Sequence, residues 1–448
     1  MRVLLLFVSA IAMPAVAQPT EAIRAAILNP AGPMAPGCVA GVFQAGEPVA
    51  IVSTGLGDSA SGRAIDAETM FYSASVSKQF TALALMQLVA AGRVGLGDPV
   101  RRWIPELPDY GRPLTVAMLV HHTSGIRDSL SLLSLAGHDD ISQATRSQAM
   151  AAVLAQRATK FEPGTRYDYT NGGYLLLAEI VERASGEPFP TYVARHILTP
   201  LGMSRSLILD GRRPDDSNVA RGYRIEDGRI VDADNYPLFG GSGGLVTTLT
   251  DLARWDREID RGGTVWTPEI RRLMLAPGTF NNGAKVVRRA RGTFYASGLQ
   301  VGPNWFGHGG GARGFKTYYA RLPAQRLGIA LLCNRGEVEP ADAADAVRAA
   351  FDPSLPSISE PSVPASALDG QYGTPELDAV YRVAAEGDKL RATVIGPTGE
   401  TRRTLLLQRT DEGSYRGDGL ELVPDDDGRG LELVTPRVRL HLVRETQR

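Results

Sequence analysis

Residues 71–88 read FYSASVSKQFTALALMQL, and this stretch decides the fold. Its first two residues are aromatic and strand-like, and from Ser75 onward apolar side chains recur at helical spacing until Gly92. The predicted helix is apolar on every side, so it must be buried. Ser75 and Lys78 lie three residues apart on one face of its first turn.

The spacing of Ser75 and Lys78 suits nucleophilic catalysis. A serine hydroxyl is a poor nucleophile until a base takes its proton, and an amine can be that base only where burial or nearby positive charge keeps it neutral. The start of a helix also favours developing negative charge. A Ser-x-x-Lys match alone is weak, because an N-cap serine and a surface lysine would give the same letters. Its position at the start of a buried helix strengthens it.

A second motif is Tyr169-Thr170-Asn171, the only Tyr-x-Asn in the sequence. It follows the turn 162–164 and precedes a predicted helix, so it lies in a loop. A tyrosine beside a lysine can exchange a proton with a nucleophile or a leaving group, and an asparagine amide can bind a carbonyl or orient the lysine. On its own this motif would pass for an ordinary loop.

A third motif, residues 308–311, reads HGGG between two predicted strands. The glycines would let a substrate backbone approach the edge of the sheet, and the imidazole of His308 could donate a proton. A tight glycine turn beside a chance histidine would give the same letters.

Taken together, the three motifs resemble those of the penicillin-recognising serine hydrolases, which include class C β-lactamases, DD-peptidases, D-aminopeptidases and related esterases. That family carries Ser-x-x-Lys, Tyr-x-Asn and a Lys/His-x-Gly strand in the same order. The resemblance spans about residues 37–351. Further stretches that resemble the family are 119–125 (LVHHTSG), 161–165 (FEPGT), 241–246 (GSGGLV) and 328–334 (GIALLCN).

The resemblance implies a role for each matching residue. Ser75 would be the acylated nucleophile, and Lys78 and Tyr169 the proton-transfer pair, with either of them as the acylation base. The substrate and oxyanion contacts would be Asn171, His308, Gly310 and Gly311, with the backbone N–H groups of Ser75 and Gly311 forming the oxyanion hole. We expect that the enzyme needs no cofactor, and the spacing of the cysteines and histidines does not support a metal site.

The third motif has histidine where efficient β-lactamases typically carry lysine, and histidine loses its charge near neutral pH. This departure favours a peptidase or esterase. We therefore expect an exported serine hydrolase that cleaves an amide or ester, with a D-amino-acid peptide or cell-wall fragment as first choice. A carboxylesterase or weak β-lactamase remains an alternative, as does a non-hydrolytic penicillin-binding or sensor protein.

The same resemblance brings the first and last strands of the sheet together, so that Cys38 and Cys333 would lie close. They would form a disulfide in an oxidising compartment or remain two buried thiols. Arg313, just after the glycines, could bind a substrate carboxylate or be solvated surface.

An α/β-hydrolase is the sharpest rival, because residues 240–244 (GGSGG) match Gly-x-Ser-x-Gly around Ser242. In that fold, however, the HGGG element precedes the nucleophile, whereas here it follows Ser242 by 66 residues. The segment before Ser242 also contains Pro237 and is no central strand.

Strands at both ends of the first 352 residues bracket a helical middle. This order predicts an α/β (α+β) fold of the β-lactamase type, an antiparallel sheet flanked by helices with an inserted helical subdomain. The predicted divisions are a signal peptide (1–17), a catalytic domain (18–352), a Pro/Ser-rich linker (353–365) and a small C-terminal β domain (366–448).

The composition of the chain limits the classes of molecule that it can bind. There are 48 basic and 49 acidic residues, and no basic run is interleaved with aromatic residues, which argues against nucleic acid. The two cysteines have no CxxC spacing, and the histidines form no metal-binding pair. Arg2, the apolar run that follows it and the small-x-small site at residues 15–17 predict a cleaved signal peptide, hence a periplasmic or secreted protein without stable membrane insertion. The expected partner is a small-molecule or peptide substrate, and the oligomeric state is left open.

Overall fold

The computed structural model describes residues 19–226, 228–289, 293–358, 365–387, 389–409, 414–417, 419–425, 429–435 and 439–445. The predicted signal peptide, residues 1–17, lies outside these ranges, and the predicted linker 353–365 lies partly outside them.

The α-helices, in chain order, are α1 (Pro19–Ile27), α2 (Lys78–Ala90), α3 (Val100–Trp103), α4 (Val116–Val120), α5 (Ser129–Leu135), α6 (Arg146–Leu154), α7 (Asn171–Ser185), α8 (Phe189–Val193), α9 (Leu249–Arg261), α10 (Pro268–Leu275) and α11 (Pro340–Phe351).

The first strands are β1 (Cys38–Gln44), β2 (Glu47–Thr54), β3 (Leu56–Asp58), β4 (Arg63–Ala64), β5 (Phe71–Tyr72), β6 (Leu207–Ile208), β7 (Tyr223–Glu226), β8 (Arg229–Asp232) and β9 (Leu245–Thr247). The next are β10 (Val287–Arg289), β11 (Thr293–Tyr295), β12 (Gln300–Val301), β13 (Phe306–Ala312), β14 (Phe315–Leu322) and β15 (Leu327–Cys333). The last are β16 (Gly370–Gly373), β17 (Val380–Glu386), β18 (Lys389–Ile395), β19 (Thr401–Arg409), β20 (Tyr415–Gly417), β21 (Leu420–Pro424), β22 (Gly430–Val434) and β23 (Arg439–Arg444).

The main sheet is antiparallel and is built from both ends of the catalytic part, in the order β10-β11-β12-β13-β14-β15-β1-β2. Side chains of β1 alternate between its two faces. Val39 and Phe43 pack with α2 and α9, whereas Ala40 and Val42 pack with α1 and α11. Helices therefore cover both faces, and the predicted fold is confirmed.

The helix that begins at Lys78 is the buried centre of the molecule. Leu83 and Leu85 lie on opposite sides of α2, and both are fully buried. Its main partner is α7, which ends at Gly186 in the left-handed conformation. The all-round apolar character of residues 78–90 thus places this helix between the sheet and the helical region.

The two cysteines form a disulfide. Cys38 on β1 is the register partner of Cys333 on β15, and both side chains are buried. Of the two alternatives that the sequence leaves open, the structure has the bridge. It joins residues 295 positions apart across the middle of the sheet.

Strands β16 to β23 form a closed antiparallel barrel. Its interior is filled by side chains such as Tyr372, Leu390 and Leu422, all fully buried, so the barrel is a packed core. Arg409 on β19 forms an ion pair with Asp342 on α11, with 3.7 Å between nitrogen and oxygen. Within the described ranges, no helix is both long enough and apolar enough to cross a membrane.

Candidate active site

Ser75 lies on a tight 3₁₀ turn, Ala74–Ser77, that leads directly into α2. Every residue from 71 to 86 is buried except Ser75, which is partly exposed. Ala74, just before it, has a φ of +45°, a left-handed conformation that costs a non-glycine residue about 1–3 kcal/mol. The surrounding structure enforces this turn and presents one hydroxyl to the solvent.

The residues on either side of Ser75 are tied to two neighbouring strands. Ser73 donates to the Leu245 carbonyl from both its backbone nitrogen and its hydroxyl, and its own carbonyl accepts from Thr317 Oγ1 at 2.8 Å. Ser77 Oγ accepts from Leu245 N at 3.0 Å. These bonds hold the turn against β9 and β14.

The amine of Lys78 is fully buried and faces three oxygens. Its Nζ lies 3.1 Å from Ser75 Oγ, 2.9 Å from Asn171 Oδ1 and 2.7 Å from the Ser242 carbonyl. Burial lowers the pKa of Lys78 to about 7, and the negative charge of Asp128 opposes part of that shift. A substantial share of the protein therefore carries a neutral amine beside Ser75 at neutral pH.

Tyr169 contacts the same hydroxyl from the other side. Its phenol donates to Ser75 Oγ at 2.9 Å, and Lys78 Nζ lies 4.8 Å from the centre of its ring. The His122 ring packs against the Tyr169 ring, with 4.4 Å between centroids. His122 Nδ1 also accepts from Thr170 N at 3.2 Å, so this histidine fixes both the ring and the backbone of the loop.

Asn171 is the first residue of α7, and its position is set from α5. Thr170 caps α7 by accepting from Gly172 N. Asp128 Oδ2 accepts from Asn171 N at 2.7 Å, while Asp128 Oδ1 caps α5 through Ser131 N. The Asp128 carboxylate therefore caps the start of α5 and also anchors Asn171, whose side chain accepts from Lys78.

The third motif lies on β13, directly against the nucleophile turn. A Cβ on Gly310 would lie 2.4 Å from the Ser73 carbonyl oxygen and 3.1 Å from Ser75 N, so only glycine fits there. A Cβ on Gly309 would meet no backbone atom closer than 3.9 Å. Gly311 lines the same cleft as Ser75. Gly310 therefore lets β13 approach the backbone of Ser75.

The ring of His308 is buried, with 3% of the residue exposed. Its Nδ1 donates to the Gly309 carbonyl, and the Tyr295 hydroxyl lies 3.0 Å from its Nε2. Because a carbonyl can only accept, a neutral ring would accept from Tyr295 at Nε2. His308 lies behind Tyr169, with 6.2 Å between ring centroids, and the side chain is not among those that line the cleft.

The cleft in front of Ser75 has a volume of about 280 Å³. The residues that line it are Tyr72, Ala74, Ser75, Leu130, Ser134, His138, Asp139, Ile141, Asn171, Asn235, Pro237, Ser242, Gly243, Gly311, Ala312 and Arg313. A larger cavity of about 480 Å³, beside α6, contains none of the predicted catalytic residues. Within the described ranges, no group of three His, Cys, Asp or Glu side chains is arranged to hold a metal ion.

The structure thus gathers Ser75, Lys78, Tyr169 and Asn171 within hydrogen-bond distance, from parts of the chain up to 96 residues apart. Three further contributions were missed from the sequence: His122, Asp128 and the Ser242 carbonyl. His122 lies within the stretch 119–125 that resembles the family, which was a usable signal. Asp128 carried no signal of its own.

The chain is similar in sequence to known proteins. The family profile described as Beta-lactamase matches residues 30–352. A protein named D-aminopeptidase from Cereibacter sphaeroides is 29% identical over 400 residues, which cover 87% of this chain and 72% of that protein.

Solved structures are similar as well. The octameric penicillin-binding protein homologue from Pyrococcus abyssi has 26% identity and a TM-score of 0.66, covering 91% of this chain and 96% of the homologue. The D-amino acid amidase from Ochrobactrum anthropi SV3 has 23% identity and a TM-score of 0.62, covering 75% of this chain and 99% of the amidase. At that identity the amidase shows the fold alone.

Proposed function

Because the chain belongs to the β-lactamase family and is a serine hydrolase of the penicillin-binding type, we propose that it hydrolyses D-amino-acid peptides or amides through an acyl-enzyme on Ser75. One observation carries the proposal: both Lys78 Nζ, at 3.1 Å, and Tyr169 Oη, at 2.9 Å, contact Ser75 Oγ. The similarity to D-aminopeptidases supports the choice of substrate class.

The hydrogen bonds around Lys78 favour the lysine as the acylation base. Asn171 Oδ1 and the Ser242 carbonyl can only accept, so they take the two N–H groups of a neutral amine. The remaining lone pair of Nζ then faces the Ser75 hydroxyl. Ser75 Oγ attacks the substrate carbonyl carbon as its proton passes to Nζ, and negative charge develops on the carbonyl oxygen.

The later steps use the same groups. The N–H groups of Ser75 and Gly311 would stabilise the oxyanion. When the C–N bond breaks, the leaving amine takes a proton from the Lys78 and Tyr169 pair, and the acyl group stays on Ser75 Oγ. A water molecule then gives a proton to the same pair and attacks the ester, which releases the acid and restores the Ser75 hydroxyl.

A substrate panel tests this proposal. We expect the purified protein to release p-nitroaniline from D-alanyl p-nitroanilide much faster than from the L-enantiomer, with an acyl adduct on Ser75 detectable by peptide mass spectrometry after rapid acid quenching. An enzyme that turned over only p-nitrophenyl esters would be a carboxylesterase. A lasting penicillin adduct without turnover of any substrate would indicate a binding or sensor protein.

We also propose that the chain is exported after cleavage behind Ala17. The small-x-small site at residues 15–17 supports the cleavage, and the disulfide between Cys38 and Cys333 fits an oxidising compartment. The mature protein recovered from bacterial cells should therefore begin at Gln18 by N-terminal sequencing. Recovery of the full-length chain with Met1 in the cytoplasmic fraction would contradict this.

A further inference from the structure

The hydroxyl of Thr81 joins α2 to the segment of chain that contacts Lys78. Thr81 lies one turn beyond Lys78 on α2 and is fully buried. Its Oγ1 lies 2.6 Å from the Gly241 carbonyl oxygen and 3.5 Å from the Ser77 carbonyl oxygen. A threonine within a helix commonly bonds the carbonyl one turn before it, but here the single hydroxyl proton is directed to the much closer Gly241. The Thr81 hydroxyl therefore binds a distant part of the chain.

Gly241 directly precedes Ser242, whose carbonyl is one of the three oxygens around Lys78 Nζ. The Ser242 carbonyl oxygen lies 2.7 Å from Nζ. Gly241 has a φ of +128°, which residues with a side chain rarely adopt, so the chain makes an unusual turn at this point. The Gly241 carbonyl belongs to the planar peptide unit that leads into Ser242. A hydrogen bond that holds the Gly241 carbonyl therefore restricts where the Ser242 carbonyl can lie.

The position of the Ser242 carbonyl determines how Lys78 acts. When a neutral amine donates one N–H to this carbonyl and the other to Asn171 Oδ1, its lone pair faces Ser75 Oγ. If the carbonyl moved away, the amine would be free to rotate and its lone pair would turn away from Ser75. The placement of one backbone carbonyl thus decides whether the amine is directed at the hydroxyl that it activates.

We propose that Thr81 is a positioning residue for the reaction: by holding Gly241, it keeps the Ser242 carbonyl in place and so keeps the amine of Lys78 directed at Ser75. This inference rests on the proposed function, because it takes Lys78 as the base. Valine resembles threonine in shape but has no hydroxyl, whereas serine keeps the hydroxyl and loses the methyl group. These two substitutions therefore separate the hydrogen bond from the packing.

Two rates test the inference: hydrolysis of D-alanyl p-nitroanilide, and covalent labelling of Ser75 by a serine-reactive phosphonate. Thr81→Val should lower kcat and the labelling rate by about tenfold or more, with KM within about threefold of wild type. The reason is that a misdirected amine impairs bond formation and leaves substrate binding intact. Thr81→Ser should recover both rates to within about threefold of wild type.

The pH dependence of labelling is a readout that a general loss of stability would not move. The Ser242 carbonyl accepts from Lys78 and thereby favours the charged form of the amine. In the valine variant the rise of the labelling rate should therefore move to lower pH, whereas the serine variant should follow the wild type. The titratable groups near this amine in the described part of the chain, Asp128, Tyr169 and Tyr174, are the same in all three proteins.

Thr247→Val is the matched control. Thr247 lies on β9 and is fully buried, and its Oγ1 is 2.7 Å from Ser206 Oγ. The substitution likewise removes a buried threonine hydroxyl with a hydrogen bond, but it leaves the bond between Thr81 and Gly241 in place. Both rates should stay within about threefold of wild type, with an unchanged pH dependence.

Wild-type rates in folded Thr81→Val would overturn the inference. A loss in Thr81→Ser as large as in Thr81→Val, or equal losses in Thr81→Val and Thr247→Val, would overturn it as well, since packing alone would explain them. If circular dichroism shows that Thr81→Val does not fold, Thr81→Cys replaces it with the same expected loss, because a thiol is only a weak donor. A wild type that is labelled at Ser75 but hydrolyses no D-amino-acid amide would contradict the proposed function, and the labelling rates would still decide the role of Thr81.

Discussion

Replacement of Ser75 by alanine is expected to lower kcat by roughly 10⁴-fold or more and to remove every covalent adduct. The hydroxyl is the only partly exposed group between residues 71 and 86, and it lies against both Lys78 and Tyr169. Without it no ester can form, and only the slower catalysis by substrate binding and oxyanion stabilisation remains. Mass spectrometry after treatment with a serine-reactive phosphonate, together with steady-state kinetics, measures both effects.

The matched control is Ser242→Ala. Lys78 uses the backbone carbonyl of this residue, and that carbonyl survives the substitution. Activity should therefore stay within a few-fold of wild type, and the phosphonate should still label Ser75. Labelling of Ser242 in the wild type, or loss of labelling in Ser242→Ala alone, would revive the α/β-hydrolase interpretation.

The Lys78→Met variant should be as inactive as Ser75→Ala, because no other described amine lies within reach of Ser75 Oγ.

In the wild type, kcat/KM should rise with pH through an apparent pKa near 7, since only the neutral amine accepts a proton. Removing the negative charge in Asp128→Asn should move this rise to lower pH, because Asp128 favours the charged amine. Asparagine has a single acceptor oxygen, so it can keep the bond from Asn171 N but then loses the bond from Ser131 N that caps α5. If the pH dependence of kcat/KM were the same in Lys78→Met, in Asp128→Asn and in the wild type, Lys78 would be excluded as the base.

The same amine should make stability depend on pH. Lys78 has a pKa of about 7 in the fold and roughly 10.4 in the unfolded chain, so between these values the unfolded state binds more protons. The stabilisation is fully present above the unfolded pKa and is lost as pH falls through 7. Relative to Lys78→Met, the free energy of unfolding of the wild type should increase by about 2 kcal/mol from pH 7 to pH 9.

Urea denaturation of both proteins at the two pH values measures this difference. The comparison cancels the titration of all groups that the two proteins share. A difference that is constant across this range would show that the amine stays charged in the fold, which would contradict the neutral base assigned to Lys78.

Much of the fold could be predicted from periodicity. The all-round apolar pattern from Ser75 onward predicted a buried helix, and the structure has α2 there. A helix was predicted to follow the second motif, but α7 begins within the motif, at Asn171, because Thr170 caps it. The second catalytic motif thus overlaps a helix start, which its own letters do not reveal.

In the candidate site, only the residues that belong to the three short motifs could be predicted from the sequence. The order of the three motifs identified Ser75, Lys78, Tyr169 and Asn171, which the structure brings together. Asp128 acts through the backbone of Asn171, 43 positions away, and the Ser242 contribution is a carbonyl that any residue would supply. Contacts of these two kinds leave no residue-type pattern in a single sequence.

His308 illustrates another limit. The sequence suggested a proton donor facing the substrate, and that role stays a prediction. In the structure the His308 ring is buried and forms hydrogen bonds with the Tyr295 hydroxyl and the Gly309 carbonyl. Tyr295 belongs to β11, so its contact with His308 depends on the tertiary structure, which motif order does not encode.

The pairing of β1 with β15 has a consequence for the order in which the protein matures. At about 5–20 residues per second, a ribosome needs roughly 15–60 s to synthesise the 295 positions from Cys38 to Cys333. During this interval the residues of the helix that carries Ser75 have already been synthesised. Leu245 and Thr317, which hold its turn, are synthesised later. A growing chain therefore carries the nucleophile before β9 and β14, the two strands that hold its turn, have been synthesised.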